Sequence, residues 1–182
     1  SNRLLLVGVS TQYATVGSVT FNGVPLTLVG RRQGGSAAND GYAAIWSLTA
    51  PATGTGTIVV NVPLGDALVG GAVSFYGVDQ TTPLGAFTGA NGQSTAPGVT
   101  VPSASGEIVF GALMWNHDWM PVVAGPGQTE RWNRTKATPG FSDVTGAGST
   151  APGAPSVALS WTTEDDSWAV AAVSIHSAAT VE

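Results

Sequence analysis

The chain has 182 residues, of which 43% are hydrophobic and only 9% charged, and a net charge of −5; an ordinary globular chain carries about 25% charged residues. That length supplies a core without cross-links, and the absence of cysteine excludes disulfides, thiolate metal sites and cysteine nucleophiles. One lysine and five arginines form no basic stripe, which argues against a nucleic-acid partner, and no apolar run reaches the ~18 residues of a membrane-spanning helix.

With 25 Gly and 11 Pro, short β-rich runs between turn signals predict strands throughout. Residues 3–10 form the first, apolar on both faces and therefore central. Residues 16–21 and 24–29 flank Asn22-Gly23, a strong hairpin signal. Residues 33–41 read as a loop. Strands follow at 42–48, which carries Trp46, and at 57–62, with Ile58, Val60 and Val62 on one face. Residues 67–78 read as a long strand in which Gly70-Gly71 predicts a bulge or close sheet packing. Residues 79–98 read as a linker. Strands resume at 99–102 and 107–115, and a segment broken by Pro121 and Pro126 leads to a strand or edge at 128–134. Residues 137–153 are rich in Gly, Ser, Thr and Pro and carry no strand prediction. Residues 156–161 alternate, Glu164-Asp165-Asp166 is a charged turn, and 168–176 closes the chain.

Two segments match at an offset of 100: GTIVVNVPLGDALVGGAVSFY at 56–76 and PSVALSWTTEDDSWAVAAVSIH at 155–176. Ala50-Pro51 matches Ala151-Pro152 at 101. The expectation is an internal pseudo-two-fold duplication of halves 1–78 and 99–176. The fold class is all-β: a two-sheet, jelly-roll-like β-sandwich, one domain over 1–182, in which both halves contribute strands to both sheets. Leu5, Val7, Ile45, Val60, Val73, Phe75, Phe110, Leu159, Trp161, Val173 and Ile175 are expected in its core.

The strings VGVS, AAIWSL before Ala50-Pro51, GAVSFYGVDQTTPLG, GQTERWN and SWAVAAVSI give the chain a resemblance to jelly-roll-like β-sandwich modules of large secreted or surface-attached bacterial proteins. The resemblance covers nearly the whole chain. It implies an exported domain used for surface structure or adhesion, and it brings no catalytic residue.

Trp115, Asn116, His117, Asp118 and Trp119 form the most distinctive local cluster. Aromatic faces with polar neighbours stack on sugar rings and bond their hydroxyls. The same residues also suit a strand end that packs Trp115 inward, or a subunit contact. Trp132 lies in Glu130-Arg131-Trp132-Asn133-Arg134, where an arginine can stack on the indole or pair with Glu130. Asp165 and Asp166, with Glu164 and Asp66, are weak candidates for Ca²⁺, but no calcium-loop pattern is present and a solvated turn explains them. His117 and His176 lie far apart in sequence, and no nucleophile-elbow motif accompanies them.

The sequence therefore predicts no enzyme and no cofactor. It predicts a self-assembling β-sandwich subunit or module of an extracellular or cell-surface layer, fibre or adhesin. Its partners would be other copies of itself or surface proteins, met through residues 115–120 or the strand at 3–10. The alternative is a carbohydrate-binding module that holds polysaccharide on Trp115, Trp119, Trp132 and Trp46. A chain that begins at Ser1, almost on a strand and with no charged-then-apolar leader, suits processing or excision.

Overall fold

The computed structural model describes residues 2–35, 40–63, 66–116, 122–136 and 143–179. These residues form fifteen strands and no helix. In chain order they are β1 (Leu4–Thr11), β2 (Ser18–Phe21), β3 (Val24–Pro25), β4 (Thr27–Gln33), β5 (Tyr42–Thr49), β6 (Ile58–Asn61) and β7 (Leu68–Phe75). Then come β8 (Thr88–Ser94), β9 (Gly98–Val101), β10 (Ile108–Trp115), β11 (Val123–Ala124), β12 (Thr129–Lys136), β13 (Val144–Pro152), β14 (Val157–Thr162) and β15 (Asp166–Ile175). All the pairings between these strands are antiparallel.

Two large sheets, β4-β5-β1-β7 and β12-β13-β10-β15-β8, and two small ones, β3-β2-β6 and β11-β14-β9, make a layered all-β sandwich. The layers follow from strand alternation, which sends successive side chains to opposite faces. Leu4, Leu6 and Ile45 meet Phe110, Ala112, Met114, Val173 and Ile175 between the large sheets. Leu5, Val7, Val9 and Trp46 face the other way, against Val19 of the first small sheet. Leu113, Trp115 and Val170 likewise meet Leu159 and Trp161 of the second. Both faces of each central strand are buried, which is why β1 and β10 are apolar at nearly every position. At Asn22 and Gly23 the chain takes φ of 51° and 80°, the left-handed pair that a two-residue hairpin needs between Phe21 and Val24. Strand β3 stops at Pro25, which has no N–H to offer a ladder, and the chain crosses at Leu26 to the large sheet. The predicted strand over 24–29 is thus two strands in two sheets.

Other expectations change too. Each sheet is drawn from a single half of the chain, not from both. The presumed linker contains β8, and the small-residue stretch at 137–153 contains β13, a buried strand between β12 and β10. Close inter-sheet packing needs small side chains there, and they disguised the strand. Of the two readings of Gly70-Gly71, close sheet packing holds and the bulge does not: the β1–β7 register runs unbroken through both, and Trp132 of the opposite sheet lies against Gly71. The bulges lie on β4 between Leu28 and Gly30 and on β12 between Glu130 and Trp132. Of the expected core, Val60 and Val73 are only half-buried; the other nine residues are buried.

The order β4-β5-β1-β7 recurs as β12-β13-β10-β15, and the pair β2–β6 recurs as β11–β14. In register, Leu4 lies between Thr49 and Phe75, and Ile108 lies between Pro152 and Ile175. Phe75 and Ile175 keep the offset of 100. Thr49 takes the place of Pro152, two residues out of step with the match of Ala50-Pro51 to Ala151-Pro152. Strand order recurs; a duplication of sequence is not confirmed by it.

Candidate functional site

Strand β7 ends its sheet, and among the described residues no strand pairs with its outer edge. Its inner face, Val69, Val73 and Phe75, joins the core between the large sheets. Its outer face presents Gly70, Ala72 and Ser74, all exposed. The small sheet over this half stops at β6 and leaves the outer face uncovered. A groove of about 250 Å³ runs between them, lined by Ile58, Val60, Leu68, Gly70 and Ala72. A second of about 250 Å³ continues it past Ala72 to Ser74, Phe21 and Pro51. Behind the strand, a recess of about 470 Å³ lies between Val73, Tyr76, Ile108 and Arg131. Tyr76 beside it is 87% exposed.

The same face is closed in the second half. Trp168, Val170, Ala172 and Ser174 of β15 are all buried. There, β8 adds to the edge of β15, and β9 adds to β14 in the layer above. Among the described residues, the first half has no counterpart of either strand.

Exposed edges usually carry charge, which resists pairing with foreign strands. Five of the six cations, Arg31, Arg32, Arg131, Arg134 and Lys136, stand on the edge strands β4 and β12. Strand β8 is uncharged, but Arg32 donates to its Asn91, which in turn donates to the Gly35 carbonyl. Neither β7 nor β6 holds a charged residue. The sequence already showed this pattern; it takes on meaning once the edges are known.

The carboxylates hold turns together. Asp66 accepts from the backbone N–H groups of Tyr13 and Ala14, and Glu107 accepts from Ser103 Oγ and the Ala104 N–H. Asp79 accepts from the N–H groups of Thr82 and Thr81, and these bonds hold its carboxyl below the usual carboxylate range. His176 lies with Nδ1 2.7 Å from the Thr82 carbonyl and Nε2 3.8 Å from Glu107. Asp166 accepts from the N–H of Ser167, and Asp165 is exposed. No group of three or more His, Asp or Glu among the described residues could hold a metal ion.

Of the residues singled out in the sequence, His117, Asp118 and Trp119 lie outside the described residues. Trp115 is 1% exposed within the core of the second half, so its faces are unavailable for stacking. Asn116 caps the end of β10, its N–H donating to the Ser167 carbonyl. Trp132 turns inward from β12 and is half-buried against the inter-sheet core. Arg131 donates to Thr150 Oγ1, and Glu130 accepts from Asn133. Trp46 is buried. Strand β1 is not an assembly edge, since β5 and β7 flank it on both sides.

Comparison of the chain with protein-family models, curated proteins and solved structures finds no match.

Proposed function

We propose that this chain is a structural module that works by association: an extracellular or cell-surface β-sandwich that joins its neighbours in a layer, fibre or adhesin through a sheet edge. The observation that carries the reading is the edge of β7, free, uncharged and bordered by an apolar groove. A free edge offers a row of backbone donors and acceptors, and a partner strand satisfies them. Small side chains at Gly70, Ala72 and Ser74 let another backbone approach closely. The low charge spares such a contact the cost of desolvating ions. The carboxylates support the same reading, because those at Asp66, Asp79 and Glu107 are engaged in turns. The carbohydrate alternative draws no support from Trp46, Trp115, Trp161 and Trp168, which are buried, or from Trp132, which is packed on the core.

The test is sedimentation and electron microscopy of the native material, beside the same material carrying Ala72→Arg. The expected result is an assembly larger than one chain that the substitution dissociates. Native material that sediments as a single chain and binds no neighbour would overturn the reading.

A further inference from the structure

We infer that the groove between β6 and β7 is the seat of an extended, uncharged segment of another polypeptide, which adds one strand to β7 and a second to β6. This rests on the proposed associative role and names the kind of partner. The argument comes from the second half of the same chain. There, β8 runs antiparallel to β15, with Thr88 opposite Ala172 and Gly92 opposite Trp168. The chain then changes layer and returns as β9 along β14, with Gly98 opposite Ser160 and Val101 opposite Val157. One continuous stretch, residues 88–101, thus closes an edge in each of two sheets.

In strand order, β7 stands where β15 stands and β6 where β14 stands. Among the described residues the positions matching β8 and β9 are open in the first half, and the consequence shows residue by residue. Gly70, Ala72 and Ser74 are exposed where Val170, Ala172 and Ser174 are buried. The groove between β6 and β7 lies beside the edges that such a pair would cover.

The chemistry of the occupant follows from the lining and from the internal template. Residues 88–101, TGANGQSTAPGVTV, contain no charge. Small and hydroxyl-bearing residues lie against the sheet edge in β8, and Val101 is fully buried in β9. The groove is likewise uncharged, small at Gly70 and Ala72 and apolar at Ile58, Val60 and Leu68. A matching segment therefore has small or hydroxyl-bearing residues in its first strand and β-branched residues in its second. A second copy of this chain cannot lend its own residues 88–101 without stripping β15, whose outer face would then be exposed.

The experiment titrates the ¹⁵N-labelled chain with a blocked synthetic peptide of the sequence of residues 88–101. Expected are saturable shifts at Ile58–Asn61 and Leu68–Phe75, slowed exchange of alternate β7 amides, and loss of both with Ala72→Arg. A peptide carrying Val99→Glu and Val101→Glu tests the same point without altering the protein, and it should not bind. The inference is overturned by absence of shifts at millimolar peptide, by equal binding of a scrambled peptide, or by shifts confined to β15. It is also overturned if β7 becomes protected as protein concentration rises without peptide, which would make a second copy the occupant. If the peptide fails while Ala72→Arg still dissociates native assemblies, only the occupant is wrong. If the peptide binds while native material is a single chain, the associative role is wrong.

Discussion

Trp132 and Gly148 are register partners on adjacent strands, and the indole lies flat across the glycine where a methyl group would stand. Gly71 from the opposite sheet presses on the same ring, and a Cβ built on Gly8 would sit 2.8 Å from it. Phe110 packs alongside at 5.8 Å between centroids. Three strands thus give up side chains so that one tryptophan on the edge strand β12 can close the space between the large sheets. Gly148→Ala should cost about 1–3 kcal/mol by overpacking, read from urea unfolding. Combined with Trp132→Ala, its effect should shrink, because the ring it strikes is gone. Additive effects in that cycle would mean that the contact carries no energy.

The free edge should be visible in solution. On β15 both edges are paired, to β10 and to β8, so its amides should exchange slowly in native-state hydrogen exchange. On β7, among the described residues, only the edge facing β1 is paired. Alternate amides from Leu68 to Phe75 should therefore exchange faster than their neighbours. Uniform protection along an isolated β7 would contradict the topology.

Leu159 is 1% exposed, in the core between the second small sheet and its large neighbour. It also covers Gly111 of β10, whose missing side chain leaves room for it. Leu159→Ala should cost about 2–5 kcal/mol, measured as a shift of the unfolding midpoint at constant slope. An unchanged midpoint would place residue 159 on the wrong face.

A buried hydrogen bond ties the large sheets together: Ser10 Oγ on β1 donates to the Leu113 carbonyl on β10 at 2.7 Å, away from water. Ser10→Ala should cost about 0.5–1.5 kcal/mol. A thermal melt that does not move would show that this bond adds nothing to the docking of the sheets.

Asp79 should titrate below an ordinary aspartate, because the Thr82 and Thr81 N–H groups favour its charged form. Its folded value is depressed, so its contribution to stability is present above the unfolded value of about 3.9 and is lost as pH falls through the folded one. Carboxyl ¹³C shifts against pH should show the low midpoint. Asp79→Asn should flatten the acid limb of stability; an unchanged limb would show that the carboxylate does not couple to folding.

Much of the architecture could be read from residues alone. The all-apolar run at β1 announced a strand buried on both faces, and Asn22-Gly23 announced its hairpin. Strands β8 and β13 read as loops because TGANGQS and VTGAGSTAP hold few apolar or β-branched residues. In β13 the cause is close packing, since Gly146 lies against Val69 and Gly148 against Trp132. The tryptophans misled in the opposite direction. Trp115 and Trp132 stand beside polar residues in sequence, yet strand alternation and a bulge turn their indoles inward. Among the described residues β7 has a free edge, but its uncharged sequence suits a strand inside a sheet equally well, so the edge shows only in the strand order.

The sheets' segregation by chain half has a consequence for the order of events during synthesis. Every strand of the first large sheet and of the small sheet above it has left the ribosome once residue 75 has emerged, before any residue of β8. All their strand pairings lie within the first 75 residues, so this half can form while the rest is still being made. The partly made chain then displays Leu4, Leu6 and Ile45 as a sticky panel until β10 and β15 arrive to meet it. Crowded nascent chains would be most vulnerable to clumping in that interval, and dilute refolding should give the higher yield.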